Sequence, residues 1–276
     1  MILDALSSEI LKLTKNRWSM FWAFGFVPLF TLAMGVLVET FVRSSASAGP
    51  LANVTAPLNS ALDGLSAFNN VFLQIFPIAG AAILFAGEYR WETWRAILPR
   101  NERSAVLLAK LITFALAVAA GILLSGVFGW LVAIYDLVVL GATPHWPRAG
   151  AGDVILALFI AFGGSFLQVM ASAALVMLTA VVSRAMIASI IAPFMILIAL
   201  ALAASRIRLP GADLSAAGFP SIAGTSIDQM ARATLGDPDA IGVHLAAPGA
   251  GALLLWCIAL AVGALLLFSR QDLSRE

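Results

Sequence analysis

Apolar residues in this chain fall into runs long enough to cross a bilayer, separated by shorter polar stretches. A helix rises about 1.5 Å per residue and the hydrocarbon layer is about 30 Å thick, so roughly 20 apolar residues make one crossing. Six runs meet that length: 18–42, 67–86, 105–135, 154–182, 185–204 and 249–268. The third and fourth exceed what a bilayer needs, which predicts tilt or projection. Pro28 is placed to kink the first. Only Ser183 and Arg184 separate the fourth run from the fifth, so those two helices must be antiparallel neighbours. The stretch 43–66 is rich in Ala, Ser, Asn and Pro and reads as a loop. The stretch 136–153 is turn-rich through Gly141, Pro144, Pro147 and Gly150. In the longest polar stretch, 205–248, Pro220 followed by 221–235 predicts one or two short helices. The predicted fold is an all-α integral membrane protein of six transmembrane helices, one domain over 1–276.

The first segment, 1–17, has its own period. Ile2, Leu6, Ile10 and Leu13 recur at helical spacing, with Glu9, Lys12, Lys15 and Arg17 on the remaining positions. That pattern fits a short amphipathic helix lying on an anionic membrane face. It fits equally a charged tail that sets topology. Ser45–Gly49, SASAG, is similar to a signal-peptidase site. The apolar run before it is far longer than a secretory core of about 7–15 residues, so it reads as an uncleaved anchor.

The densest charge lies in 87–104, GEYRWETWRAILPRNERS, between the second and third runs. Trp91, Trp94 and Leu98 fall at i, i+3, i+7, one helical stripe. Glu88, Glu92 and Arg95 fall at i, i+4, i+7, where carboxylate and guanidinium can pair. Pro99 disfavours helical geometry at Leu98, and Asn101 or Ser104 can cap a restart. Two readings fit this spacing. One is a docking helix for a soluble partner. The other is an interfacial helix with tryptophans at headgroup level and arginines as anchors.

Composition changes the picture in one respect. The chain is 61% hydrophobic and 11% charged, with a mean hydropathy of +0.98, against about 25% charge in soluble domains. The net charge of +1 gives no reason to expect nucleic acid as a partner. Placement of the basic residues sets orientation. With six spans, both termini and the loops after spans two and four share a side. That side collects Lys12, Lys15, Arg17, the arginines of 87–104, Lys110, Arg184, Arg270 and Arg275. Only Arg43, Arg148, Arg206, Arg208 and Arg232 fall opposite. Both termini and the charged block are therefore expected in the cytoplasm, and 205–248 outside.

Several chemistries are excluded. A Walker-type site needs a lysine preceded by Gly and followed by Ser or Thr, and Lys12, Lys15 and Lys110 all fail. Cys257 is the sole cysteine, so no internal disulfide or cysteine metal site exists. His145 and His244 both fall in outward stretches. Ser165, in GGSF, has no histidine partner and reads as a small residue at a helix crossing. No Asp or Glu lies at the centre of a run, which argues against an ion-coupled carrier. Ala117, Gly121, Ser125 and Gly129 form a small-residue ladder suited to close helix packing. With Gln74 and Gln168 they are candidates for helix contacts or for a substrate path.

Three segments resemble one family, the permeases of ABC transporters of the ABC-2 type. Glu9-Ile-Leu-Lys12-Leu…Arg17-Trp18 looks like the family's interface helix before span one. Gly87-Glu88-Tyr89-Arg90…Thr93…Leu98-Pro99-Arg100…Arg103…Ala109-Lys110-Leu111 resembles its loop between spans two and three. Phe268-Ser269-Arg270-Gln271-Asp272-Leu273 is similar to its closing segment. One departure is Glu92 before Thr93, where the family often has Gly.

The resemblance implies a non-catalytic transmembrane subunit, an exporter half, in a bacterial inner membrane. The interface helix (1–17) and a coupling helix within 87–104 would be cytoplasmic. Short extracellular helices would precede span six. Glu88, Arg90, Glu92, Arg95, Arg100 and Arg103 would form the interface with an ATP-binding subunit. Two such subunits, carrying ATP and Mg, and a second permease chain, identical or homologous, would complete the complex among membrane lipid. No cofactor or metal is expected in this chain. A membrane enzyme or assembly factor without transport, or an ion-coupled carrier, are the other readings. Apolar spans admit a lipid, a hydrophobic drug, a peptide or a cofactor-like molecule as substrate.

Overall fold

The computed structural model describes residues 2–44, 54–90, 103–209 and 211–271. Helix α1 covers Ile2–Lys15. After Asn16, the short α2 (Arg17–Met20) passes into a π-helical turn, Phe21–Gly25, and then α3 (Phe26–Ser44). Proline explains where this irregularity sits. Pro28 has no N–H to give to the carbonyl of Phe24, and the widened turn ends a few residues before it. Then follow α4 (Pro57–Ser66), α5 (Ile75–Arg90), α6 (Arg103–Val138), α7 (Ala151–Ser183) and α8 (Met186–Ala204). Helices α9 (Pro220–Thr234) and α10 (Ala246–Arg270) complete the chain. Five helical stretches are long and apolar enough to cross a bilayer: Arg17–Arg43, Ala105–Val138, Ala151–Ser183, Met186–Ala204 and Val243–Arg270. The apolar helix Ile75–Tyr89 is shorter. This is an all-α protein with the helices of a multi-pass membrane protein.

The second apolar run departs from a single continuous helix. It opens in a 3₁₀ turn, Ala67–Asn69, passes through a non-helical stretch, and becomes helical again at Ile75. The interruption has local causes. The Asn70 side chain takes the backbone N–H groups of Phe72 and Leu73 at 2.9 and 3.4 Å, competing with the helix. Pro77 cannot donate to Leu73, so it suits only the first turn of the helix that follows.

Residues 43–66, expected as a loop, contain α4. Its apolar face is turned into the bundle: Ala61, Leu62 and Leu65 are all buried. It lies along α6, and the two backbones nearly touch. A Cβ on Gly64 would sit 2.2 Å from the Ser125 carbonyl oxygen, and one on Gly129 2.1 Å from that of Ser60. Beyond the break, α5 shifts its packing to α7 and α8.

Two further boundaries differ from expectation. Helix α6 runs to Val138 and takes Asp136 into its last turns, because Asp136 is buried against Arg43 (3.7 Å) and accepts a hydrogen bond from Thr55 (3.2 Å). The stretch 205–248 folds back on the bundle. Ile227 of α9 packs on Gly164 of α7, and Ala223 on Gly249 of α10. Arg232 bridges its own helix to α4, pairing with Asp228 at 3.0 Å and with Asp63. A two-residue parallel ladder, β1 (Val54–Thr55) with β2 (Thr143–Pro144), ties the start of α4 to the loop after α6.

The two ends of the described chain lie at one end of the bundle. Gln271 donates to the Val181 carbonyl at 2.5 Å and accepts from Tyr89 at 3.0 Å. Those residues end α7 and α5, and α1 packs against α6 at the same end through Glu9, Lys110 and Glu88.

Candidate functional site

The described part of the charged block is its two flanks, the last turn of α5 and the first turns of α6. Between them, Trp91, Glu92, Trp94, Arg95, Leu98 and Arg100 lie outside the described residues. Arg90 closes α5 and Arg103 opens α6. Glu88 stands one turn inside α5.

Glu88 belongs to a compact ionic cluster. Lys110 of α6 is only 1% exposed, and a lysine that deep must be paired. Its Nζ donates to Glu9 Oε2 at 2.9 Å and to Glu88 Oε1 at 3.1 Å. Lys12 Nζ donates to Glu9 Oε1 at 2.7 Å and to the same Glu88 oxygen at 2.9 Å. Two ammonium and two carboxylate groups thus alternate, and their charges cancel. Three elements contribute, so the cluster fastens α1 to the bases of α5 and α6. Burial alone would lower the Lys12 ammonium. The hydrogen bonds and charges of Glu9 and Glu88 outweigh that and hold it above the usual lysine range.

This cluster changes the reading of α1. The expected apolar stripe was Ile2, Leu6, Ile10 and Leu13, but the face that packs on α6 carries Ala5 and Glu9. Ile10 remains 38% exposed. An ion pair to a buried lysine orients the helix more strongly than partial burial of one isoleucine, and it leaves Ile10 and Leu11 outward.

The other candidates lie deeper in the bundle. Gly121 packs on the carbonyl of Phe24 and the ring of Phe68. Ser125 is fully buried, and Ser125 and Gly129 face α4. Ser125 and Gly129 are a helix-crossing surface filled by α4, a helix read as loop, while Gly121 takes its neighbours from the first two apolar runs. Gln74 is buried in the interruption, where its backbone carbonyl accepts from Ile78. Gln168 Nε2 donates to the Asn69 carbonyl at 3.2 Å, so it fastens α7 to that interruption. Its Oε1 lies against Gly224 of α9, where even a Cβ would be only 1.7 Å away. From Gln168 to Val181 is about 20 Å along α7 at 1.5 Å per residue, which sets the depth of the break from the α1 end.

The cluster was half legible. Glu9, Lys12, Glu88 and Lys110 all occur in the segments that carry the family resemblance, yet only Glu88 was singled out as a site residue. The missed signal is Lys110 itself, in LLAKLI. A lysine set among aliphatic residues needs a carboxylate partner, and Glu9 and Glu88 supply it.

Among the described residues no group of His, Cys, Asp and Glu could hold a metal ion. Cys257 sits mid-helix in α10, half-buried, with its Sγ directed at the Leu167 carbonyl at 3.6 Å. No family model, no curated protein and no solved structure matches this chain.

Proposed function

We propose that this chain is the transmembrane permease subunit of an ATP-driven transporter of the ABC-2 type, acting as an exporter. One observation carries the reading. The Glu9–Lys12–Glu88–Lys110 cluster, in which Glu9 and Lys110 are buried, binds α1 to the helices on either side of segment 91–102. A force applied to that segment by a partner would move α1, α5 and α6 together, because separating them exposes unpaired buried charge. A membrane enzyme has no need of such a brace beside an aqueous segment.

In this reading the α1 end faces the cytoplasm of a bacterial cell, with both termini there. Helices α4 and α5 make one interrupted crossing, giving six in all. Two copies of the permease, or this chain with a homologue, flank the exit path. ATP and Mg belong to two separate ATP-binding subunits, which take the interface formed by Glu88, Arg90, Glu92, Arg95, Arg100 and Arg103. Helix α9 and its flanking turns stand at the outer face.

The double replacement Arg95→Glu with Arg100→Glu tests the interface. The expected result is loss of the ATPase partner, or ATP hydrolysis no longer stimulated by the permease, with the melting temperature in detergent unchanged. Normal partner binding and normal transport in that variant would remove the assignment.

A further inference from the structure

Two cavities meet where α1, the π-helical turn and α5 come together. One, about 430 Å³, has Glu9, Lys12, Asn16, Ser19, Glu88 and Lys110 on its polar side and Leu13, Ile83 and Leu84 on its apolar side. The other, about 230 Å³, is walled by Trp18, Trp22, Phe76 and Gly80. Ser19 and Ile83 line both. The two therefore form one groove, with a polar mouth and an apolar, aromatic floor. Trp18 and Trp22 are 77% and 50% exposed.

The floor is built by an irregularity in the backbone. Trp22 and Ala23 belong to the π-helical turn Phe21–Gly25. Such turns are rare and concentrate at functional sites. Gly80 keeps α5 close to this turn: a Cβ there would lie 2.6 Å from that of Ala23. Trp22 stacks on Phe26 at 5.3 Å, and Phe26 on Phe76 at 4.2 Å, which fixes the aromatic wall.

The charged residues lining the mouth balance, two carboxylates against two ammonium groups, and one ammonium keeps a spare donor. A lysine ammonium has three N–H donors. Glu9 and Glu88 take two from Lys12, and the described residues offer no acceptor for the third. Asn16 is exposed and adds an amide. Lys15 and Arg17 adjoin Asn16 in sequence and are exposed, and neither forms an ion pair among the described residues. Because the four-residue cluster is neutral, the residual charge beside Asn16 in the chain is that of these two side chains.

We propose that this groove holds one anionic phospholipid. Its anionic headgroup sits at Lys12, Asn16 and Ser19, and an acyl chain runs along Trp22, Phe76 and Gly80. The lipid bridges α1 and α5 beside the ionic cluster and covers apolar surface that the fold leaves open. The site stands on the groove alone and does not depend on an ATPase partner.

The test uses the full chain purified in detergent, offered equal amounts of phosphatidylglycerol and phosphatidylcholine, with retained lipid counted by native mass spectrometry. Glycerol 3-phosphate is offered separately as a headgroup without a tail. The expected result is one phosphatidylglycerol per chain, kept under dilution that strips phosphatidylcholine. Asn16→Asp places a carboxylate against the phosphate and should weaken retention about five- to tenfold. Ser19→Phe plugs the waist between the cavities and should do the same. If Ser19→Phe misfolds, Asn16→Asp, at an exposed position, decides the matter alone. Equal retention of the two lipids, or unchanged retention in Asn16→Asp, would overturn the proposal. So would displacement by glycerol 3-phosphate as effective as by the lipid, since the apolar floor would then contribute nothing.

Discussion

Lys110→Met will be the most damaging single change at the α1 end. It leaves Glu9 and Glu88 close together in a buried site without the lysine that bridges them, Lys12 remaining bonded to both. Breaking a buried ion pair from one side costs about 3–5 kcal/mol. The group left behind loses both its partner and its water. The expected result is a large drop in melting temperature in detergent and release of α1, read as loss of a disulfide cross-link engineered between α1 and α6. Removing charge from both sides is predicted to cost far less. Glu9→Met with Lys110→Met leaves the Lys12–Glu88 pair at 2.9 Å intact and fills the space with apolar volume. Most of the lost stability should return in that double variant. If the single change were neutral, or the double variant no better, the cluster would not be what holds α1.

The second large effect is predicted at the crossing of α4 and α6. At Gly129 even a methyl group would meet the backbone oxygen of Ser60 at 2.1 Å, with Gly64 on the far side at 3.0 Å. Backbone cannot swing aside as a long side chain can. Gly129→Val therefore must drive the helices apart, at a cost of about 1–3 kcal/mol or more. Gly163 supplies the control, since nothing lies within 4 Å of a Cβ there. Gly163→Ala should be neutral or raise stability by roughly 0.5–1 kcal/mol through backbone entropy. Thermal unfolding of the two variants side by side checks the contrast. Equal behaviour would mean that the close approach is not a feature of the folded chain.

Much of the architecture can be read from apolar run length, because lipid demands about 20 residues per crossing whatever the fold. The runs at 105–135, 154–182, 185–204 and 249–268 each coincide with one helix to within a few residues, apart from extensions at their ends. Run length carries no information about what is hidden inside a polar-looking stretch. Residues 57–66 contain Asn59, Ser60, Asp63 and Ser66, and no apolar count marks them as a packed helix. The clue was on the partner: Ser125 and Gly129 of the small-residue ladder call for a close neighbour, and α4 is that neighbour. The interruption after α4 was also hidden, since Asn69, Asn70, Gln74 and Pro77 are too few to break an apolar average. At the α1 end, helical periodicity located an amphipathic helix but gave no sign of the Glu9 face that packs on α6, because it counts hydrophobicity and not the demand of a buried lysine for a carboxylate. The one charged residue inside a long run, Lys110, held more information about that end than the whole apolar stripe.

In the proposed function, segment 91–102 is the place where a second protein pushes. The direct measurement is purification of the chain from its native membrane under mild conditions, with the subunits of the complex counted and its ATP hydrolysis measured. The account predicts an ATP-binding subunit in one-to-one ratio with this chain, hydrolysing ATP at a rate that the permease alters. A pure complex with no nucleotide-hydrolysing component, transporting or turning over substrate by itself, would contradict it.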